Sequence, residues 1–176
     1  MLNKSIFYGI ISGVILMLYF LLLYLGGLEL YSNWWLMLVM YPLMIGLMVF
    51  YGIRVKKQFP NEKFDFGKAF ITLMVIGSVA MLVLTIWNIL LFNVIDKNLG
   101  VELSDRIAAM TLEMMEKWGT PQSAIDEAMN EMANMADQFK PAGMIMGWLK
   151  GLIFVAIISA LCALIIRKKD SAAMQM

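Results

Sequence analysis

GKAFITLMVIGSVAMLVLTIWNILLFNVI, Gly67 to Ile95, decides the fold. Its one charge, Lys68, stands at the start, and no further Asp, Glu, Lys or Arg follows through Ile95. An α-helix of this length, at about 1.5 Å per residue, exceeds the ~30 Å hydrocarbon core of a bilayer. The apolar residues surround the helix instead of forming one stripe, so no face is left for water. A membrane span satisfies both facts.

Three more runs surround it: Ile6 to Leu28, Trp34 to Ile53, and Met144 to Ile166. Each reaches the about 20 apolar residues that a crossing needs. Composition agrees, with 61% of the 176 residues hydrophobic and 15% charged, where a soluble domain carries roughly a quarter. The expected fold is an all-α membrane protein, one integral-membrane domain over residues 1–176. Its four spans cover about 6–28, 34–53, 67–95 and 144–166, and a two-helix insertion at 96–143 joins spans three and four. A cleaved leader is the competing reading of the first run. Lys4 supplies the charged start, but the apolar stretch is longer than the about 7–15 residues of a signal core. No small-residue cleavage pattern follows, so a retained span is expected.

Lysine and arginine set the orientation. With a cytoplasmic N-terminus, the inner side collects Lys4, Arg54, Lys56, Lys57, Lys63, Lys68, Arg167, Lys168 and Lys169. The insertion instead holds nine acids against Lys97, Arg106, Lys117 and Lys140. This predicts both termini in the cytoplasm and the insertion outside. The cytoplasmic loop, Arg54 to Lys68, ends in FPNEKFDFGKAF. Pro60-Asn61 suits a tight turn. Asp65 suits the N-cap of span three, accepting from the amides of Gly67 and Lys68. Phe59, Phe64, Phe66 and Phe70 are expected at the headgroup boundary, with the lysines on anionic lipid. The alternative is a ligand surface built on Asp65 and Lys68, which nothing in the sequence forces.

YGIRVKKQFPNEKFDFGKAF (51–70), the glycine-punctuated first span, the long third span and a last span ending IIRKK together resemble a domain-of-unknown-function family, number 4199. The similarity covers nearly the whole chain, and FDFGKAF is its most recognisable part. The resemblance implies a small four-span membrane protein of a kind met mostly in Bacteroidetes. It carries no activity and no catalytic residues.

The span interiors lack Asp, Glu, Arg and His, and the chain has no histidine, which argues against proton relays and ion-coupled transport. Lys150, seven residues into the last run, is expected to snorkel beside Trp148, with a buried pair to a carboxylate as the alternative. Asn88 and Asn93 read as interhelical glue, and Pro42 as a kink. Small-residue ladders mark the packing surfaces: Ser5, Gly9 and Gly13 in span one, and Gly143, Gly147, Gly151, Ser159 and Ala163 in span four. Matching depths predict Gly9 against Ala163 and Gly13 against Ser159, with the Gly143–Gly147–Gly151 face against a second copy as the alternative.

The insertion reads as two amphipathic helices. Ser104 caps the first, Ile107, Met110, Met114 and Trp118 form its apolar face, and Gly119 ends it. Thr120 caps the second, Pro121 takes its first turn, and Ile125, Met129, Met132, Met135 or Ala136, and Phe139 form its stripe. Thioethers favour Cu(I), but no His or Cys joins Met129, Met132 and Met135, so packing explains them and no cofactor or metal is assigned. Cys162 lies within a span. No nucleophile–base pair, phosphate loop or nucleic-acid patch is present. The expected role is a structural or accessory membrane protein acting through the insertion, with lipids, a second copy or another membrane protein as partners. A small oligomeric transporter or channel and an enzyme acting on lipid are the alternatives.

Overall fold

The small residues of the first helix determine how the bundle closes. In the computed structural model, which describes residues 1–60 and 63–167, α1 runs from Leu2 to Leu25 and buries Ser5, Gly9, Ser12 and Gly13 along one face. That face meets α4, Phe66–Leu90. A Cβ added at Gly9 would stand 2.7 Å from Val79 Cβ, and one at Gly13 would stand 2.6 Å from Val83 Cβ. The two helices start at the same end and run parallel, so the spacing of four on α1 fits the spacing of four on α4. This corrects the expected contact of Gly9 and Gly13 with Ala163 and Ser159. Both glycines receive β-branched side chains of α4 instead.

Helix α4 is the centre of the bundle. A one-turn α2, Leu28–Tyr31, leads from α1 into α3, Trp34–Gln58, which returns along α4. Gly77 of α4 accepts Val155 of the last helix on one side and Met48 of α3 on the other. That last helix, α7, spans Pro141–Ile166 and packs antiparallel on α4. Leu16, Met48, Leu73, Ile76 and Val155, all fully buried, form the shared core. The interior hydroxyls of Ser5 and Ser12 donate to the carbonyls of Met1 and Tyr8, the usual way to satisfy a polar group without water. The described residues contain no strand. Four helices are long and apolar enough to cross a membrane, Leu2–Leu25, Trp34–Gln58, Phe66–Ile95 and Pro141–Ile166. This is a multi-pass helical membrane protein.

Helix ends differ from the expected spans for local reasons. Helix α3 continues beyond Ile53 because Val55 is fully buried, while Lys56 and Lys57 favour the negative end of its dipole. It also runs through Pro42 without a break. Helix α4 passes into a π-turn at Leu91–Ile95. Helix α5, Leu99–Lys117, begins five residues before Ser104. Asp96 serves its start, accepting from the amide of Leu99 at 3.1 Å, whereas the Ser104 hydroxyl donates back to Val101. Gly119, at φ +67°, ends the helix, with its amide on Glu116 and that of Thr120 on Met115. Helix α6 covers only Gln122–Met132, with Pro121 at the N-cap position expected for Thr120. Its stripe breaks there, and Met135–Phe139 form a separate 3₁₀ turn. Asn61 of the expected turn, and Lys168 and Lys169, lie outside the described residues.

Candidate functional site

The FDFGKAF stretch begins α4 and anchors it. Phe64, expected at a headgroup boundary, is 1% exposed and sits in the core. Burial of one large ring fixes the chain just before the helix, which aromatic-plus-basic composition does not reveal. Asp65 Oδ1 accepts from the Lys68 amide at 2.9 Å, as an N-cap should. Phe66 and Phe70, one turn apart, stack with centroids 6.1 Å apart; Phe66 is exposed, while Phe70 is partly buried against the core. Gly67 is open, with only the Asp65 carboxylate near its missing Cβ. Across this end, Lys56 donates to the Ile166 carbonyl at 2.5 Å, capping α7, and Gln58 donates to the Tyr8 hydroxyl at 2.7 Å. The start of α1, the end of α3, the start of α4 and the end of α7 therefore meet. Lys4, Arg54, Lys56, Lys57, Lys63, Lys68 and Arg167 share one end of the bundle.

The insertion is fastened to the opposite end by two polar residues. Asp96 binds the α5 start with one oxygen and accepts from the Tyr24 hydroxyl with the other, at 3.3 Å. Asn93 donates to the carbonyls of Ile89 and Phe139, each at 3.1 Å, joining the π-turn to the segment that returns to α7. Phe92 lies between Tyr31, at 6.0 Å, and Phe139, at 4.9 Å. Burial raises the Tyr31 hydroxyl above its ordinary pKa, so it stays neutral at all ordinary pH. Arg106 reaches Glu29 at 3.7 Å.

Beyond that anchor the apolar face of α5 is uncovered. Leu99 and Leu103 are buried, but Met110, Met114 and Trp118 are 40%, 45% and 75% exposed. Between this face and the start of α3 runs a groove of about 470 Å³, lined by Ser32, Trp34, Met37, Ile107, Met110 and Met114. Trp34 and Trp35, stacked at 4.2 Å, stand exposed at its mouth.

The ladder of α7 divides. Ser159 and Ala163 are fully buried, Gly151 receives the Met81 methyl, and Gly143 nestles against the backbone of Asp137 and Gln138. Gly147 meets nothing and borders a cleft of about 220 Å³ between α3, α4 and α7. Met40, Tyr41, Met81, Asn88 and Trp148 line it, and the Trp148 indole donates to the Ser78 carbonyl at 3.3 Å. The Asn88 Oδ1 atom is buried and has no partner, so Asn88 is not the interhelical glue expected, whereas Asn93 is. Sequence reasoning missed the convergence. Its signal was position: Tyr41, Asn88 and Trp148 each lie seven residues from the same-side end of their span.

A family model described as Protein of unknown function (DUF4199) matches residues 7–168. The chain belongs to this family. The match runs from within α1 to just past α7, so the DUF4199 pattern takes in all four long helices and the insertion. The resemblance read from FDFGKAF and its surroundings therefore holds. No curated protein and no solved structure matches the chain. Within this DUF4199 chain Lys150 is exposed and makes no ion pair with the described residues, and Cys162 is buried. Met129, Met132 and Met135 are partly buried, but the first two share α6 while Met135 falls in the 3₁₀ turn. No cluster of His, Cys, Asp and Glu suited to a metal occurs among the described residues.

Proposed function

We propose that this protein is an accessory protein of the bacterial inner membrane, acting on another membrane protein through α5 and α6. Both termini are cytoplasmic in this reading, and the insertion lies outside. Seven basic residues sharing one end of the bundle support that orientation, as does the acidic insertion at the other end. Lipids contact the bundle itself, with Phe66 and Phe70 at one boundary and Trp34 and Trp35 at the other.

The observation that carries the reading is the uncovered face of α5, Met110, Met114 and Trp118. Charge argues that a protein, not the lipid surface, covers it. Helices that lie on membranes carry lysine and arginine on the polar face, whereas residues 96–143 hold nine acids against four bases. Thioether side chains adapt to varied apolar partners, and the groove beside Trp34 gives an inserted side chain a seat.

A photo-crosslinking amino acid at Trp118 in living cells tests this. The expected result is an adduct of one fixed mass with a different membrane protein, lost when Met110→Glu is added. Adducts with lipid alone, or with a second 20.0 kDa copy, would overturn it.

A further inference from the structure

The geometry points to the Asn88 cleft as a binding site for a neutral lipid whose head group is a hydroxyl. It rests on the cleft alone and is independent of the partner assigned to α5. Asn88 Oδ1 is buried without a partner, a costly state for an amide inside a membrane protein. The neighbouring polar groups do not relieve it. Trp148 spends its donor on Ser78, and Asn93 serves Ile89 and Phe139. A hydroxyl both donates and accepts, so it satisfies the side-chain amide whichever way that group is turned.

Lining chemistry sets the rest of the ligand. Methionines, Leu84, Phe154, Trp148 and the hydroxyl-bearing Tyr41 and Thr85 surround Asn88, and no carboxylate, lysine or arginine lines the cleft. A charged head group would lose its hydration there without a counter-charge. Depth agrees with a lipid. Asn88 is seven residues, about 10 Å, from the end of the Phe66–Ile95 span. That 30-residue span overreaches a ~30 Å hydrocarbon core by about 7 Å at each end. The amide therefore sits just below the level where acyl chains meet their head groups. Tyr41 and Gly147 are exposed on the bundle surface, which opens the cleft sideways towards the chains. A volume of about 220 Å³ is below the about 300–1,000 Å³ of sites that enclose a whole ligand. It admits the head and the first part of one chain, and the remainder lies along the bundle.

The test uses full-length protein in nanodiscs with two photoreactive probes, a diazirine-bearing hexadecanol and its methyl ether. A hydroxyl-headed diacylglycerol competitor and a long-chain isoprenoid alcohol competitor distinguish the source of the hydroxyl. Saturable labelling by the alcohol near Asn88, at least tenfold stronger than by the ether, is expected. Asn88→Leu should erase that preference, and Gly147→Phe, placed where no atom crowds the helix, should block both probes. The second variant keeps the test decisive if the first fails to fold. Equal labelling by alcohol and ether, labelling that does not saturate, or a preference that survives Asn88→Leu overturns the proposal.

Discussion

At the scale of single residues, glycines with the same spacing have different meanings. Gly9 and Gly13 sit against Val79 and Val83 with no room for a methyl group, while Gly147 has nothing within 4 Å of its missing Cβ. Gly9→Ala and Gly13→Ala should each lower stability by about 1–3 kcal/mol, because the backbone of α4 must move away. Gly147→Ala should stay within about 1 kcal/mol of wild type, given the better helix propensity of alanine. Thermal unfolding in detergent checks the set, and equal losses at all three sites would refute the α1–α4 contact. Spacing alone does not separate a glycine at a close contact from one that faces open space, and it does not name the partner. Val79 and Val83 are indistinguishable from their neighbours within a long apolar run, so the parallel pairing was hidden. Phe64 was hidden similarly, since composition alone does not say which of four phenylalanines turns inward.

At the scale of elements, the insertion depends on its first and last turns. Asp96 holds the start of α5 and also the end of α1, through Leu99 and Tyr24. Asp96→Ala removes an N-terminal cap and leaves a phenol without its acceptor, so a loss of about 1–2 kcal/mol is expected. Faster amide exchange over residues 99–102 should accompany it, with the four long helices unaffected; unchanged exchange there would remove Asp96 from this role. Gly119 occupies a left-handed conformation, and Gly119→Ala should cost about 1–2 kcal/mol, seen as fraying at the end of α5. The sequence marked both helices and their glycine stop. It misplaced the first cap because a serine within an amphipathic stretch looks like a start, while Asp96 precedes the stretch. It overextended α6 because Met135 and Phe139 keep the apolar rhythm after the backbone has changed to a 3₁₀ turn.

At the scale of the whole molecule, four spans were legible because hydrocarbon imposes a length that soluble helices need not meet. The cleft was not, since it arises from three separate spans meeting at one depth. Orientation is checked by thiol labelling in a Cys162→Ala background. A cysteine at exposed Gln122 should react with a membrane-impermeant reagent in intact cells, and one at exposed Lys57 only after permeabilisation. Ser32 is buried and makes a poor reporter of that face. The reverse pattern would turn the protein over.

The central place of α4 has a consequence for the order of synthesis. Its last partner, α7, emerges only after the 45 residues from Asp96 to Lys140 have been translated. At about 5–20 residues per second that takes roughly 2–9 s. For this interval the nascent protein is a three-helix intermediate, with the Gly77 notch that later receives Val155 facing lipid and the Asn93 amide without Phe139. A chain halted at Lys140 should therefore be degraded several-fold faster than the complete one, and co-expressing residues 141–176 as a separate segment should restore its half-life. In that outcome, the helix that arrives last sets how long the protein persists in the cell.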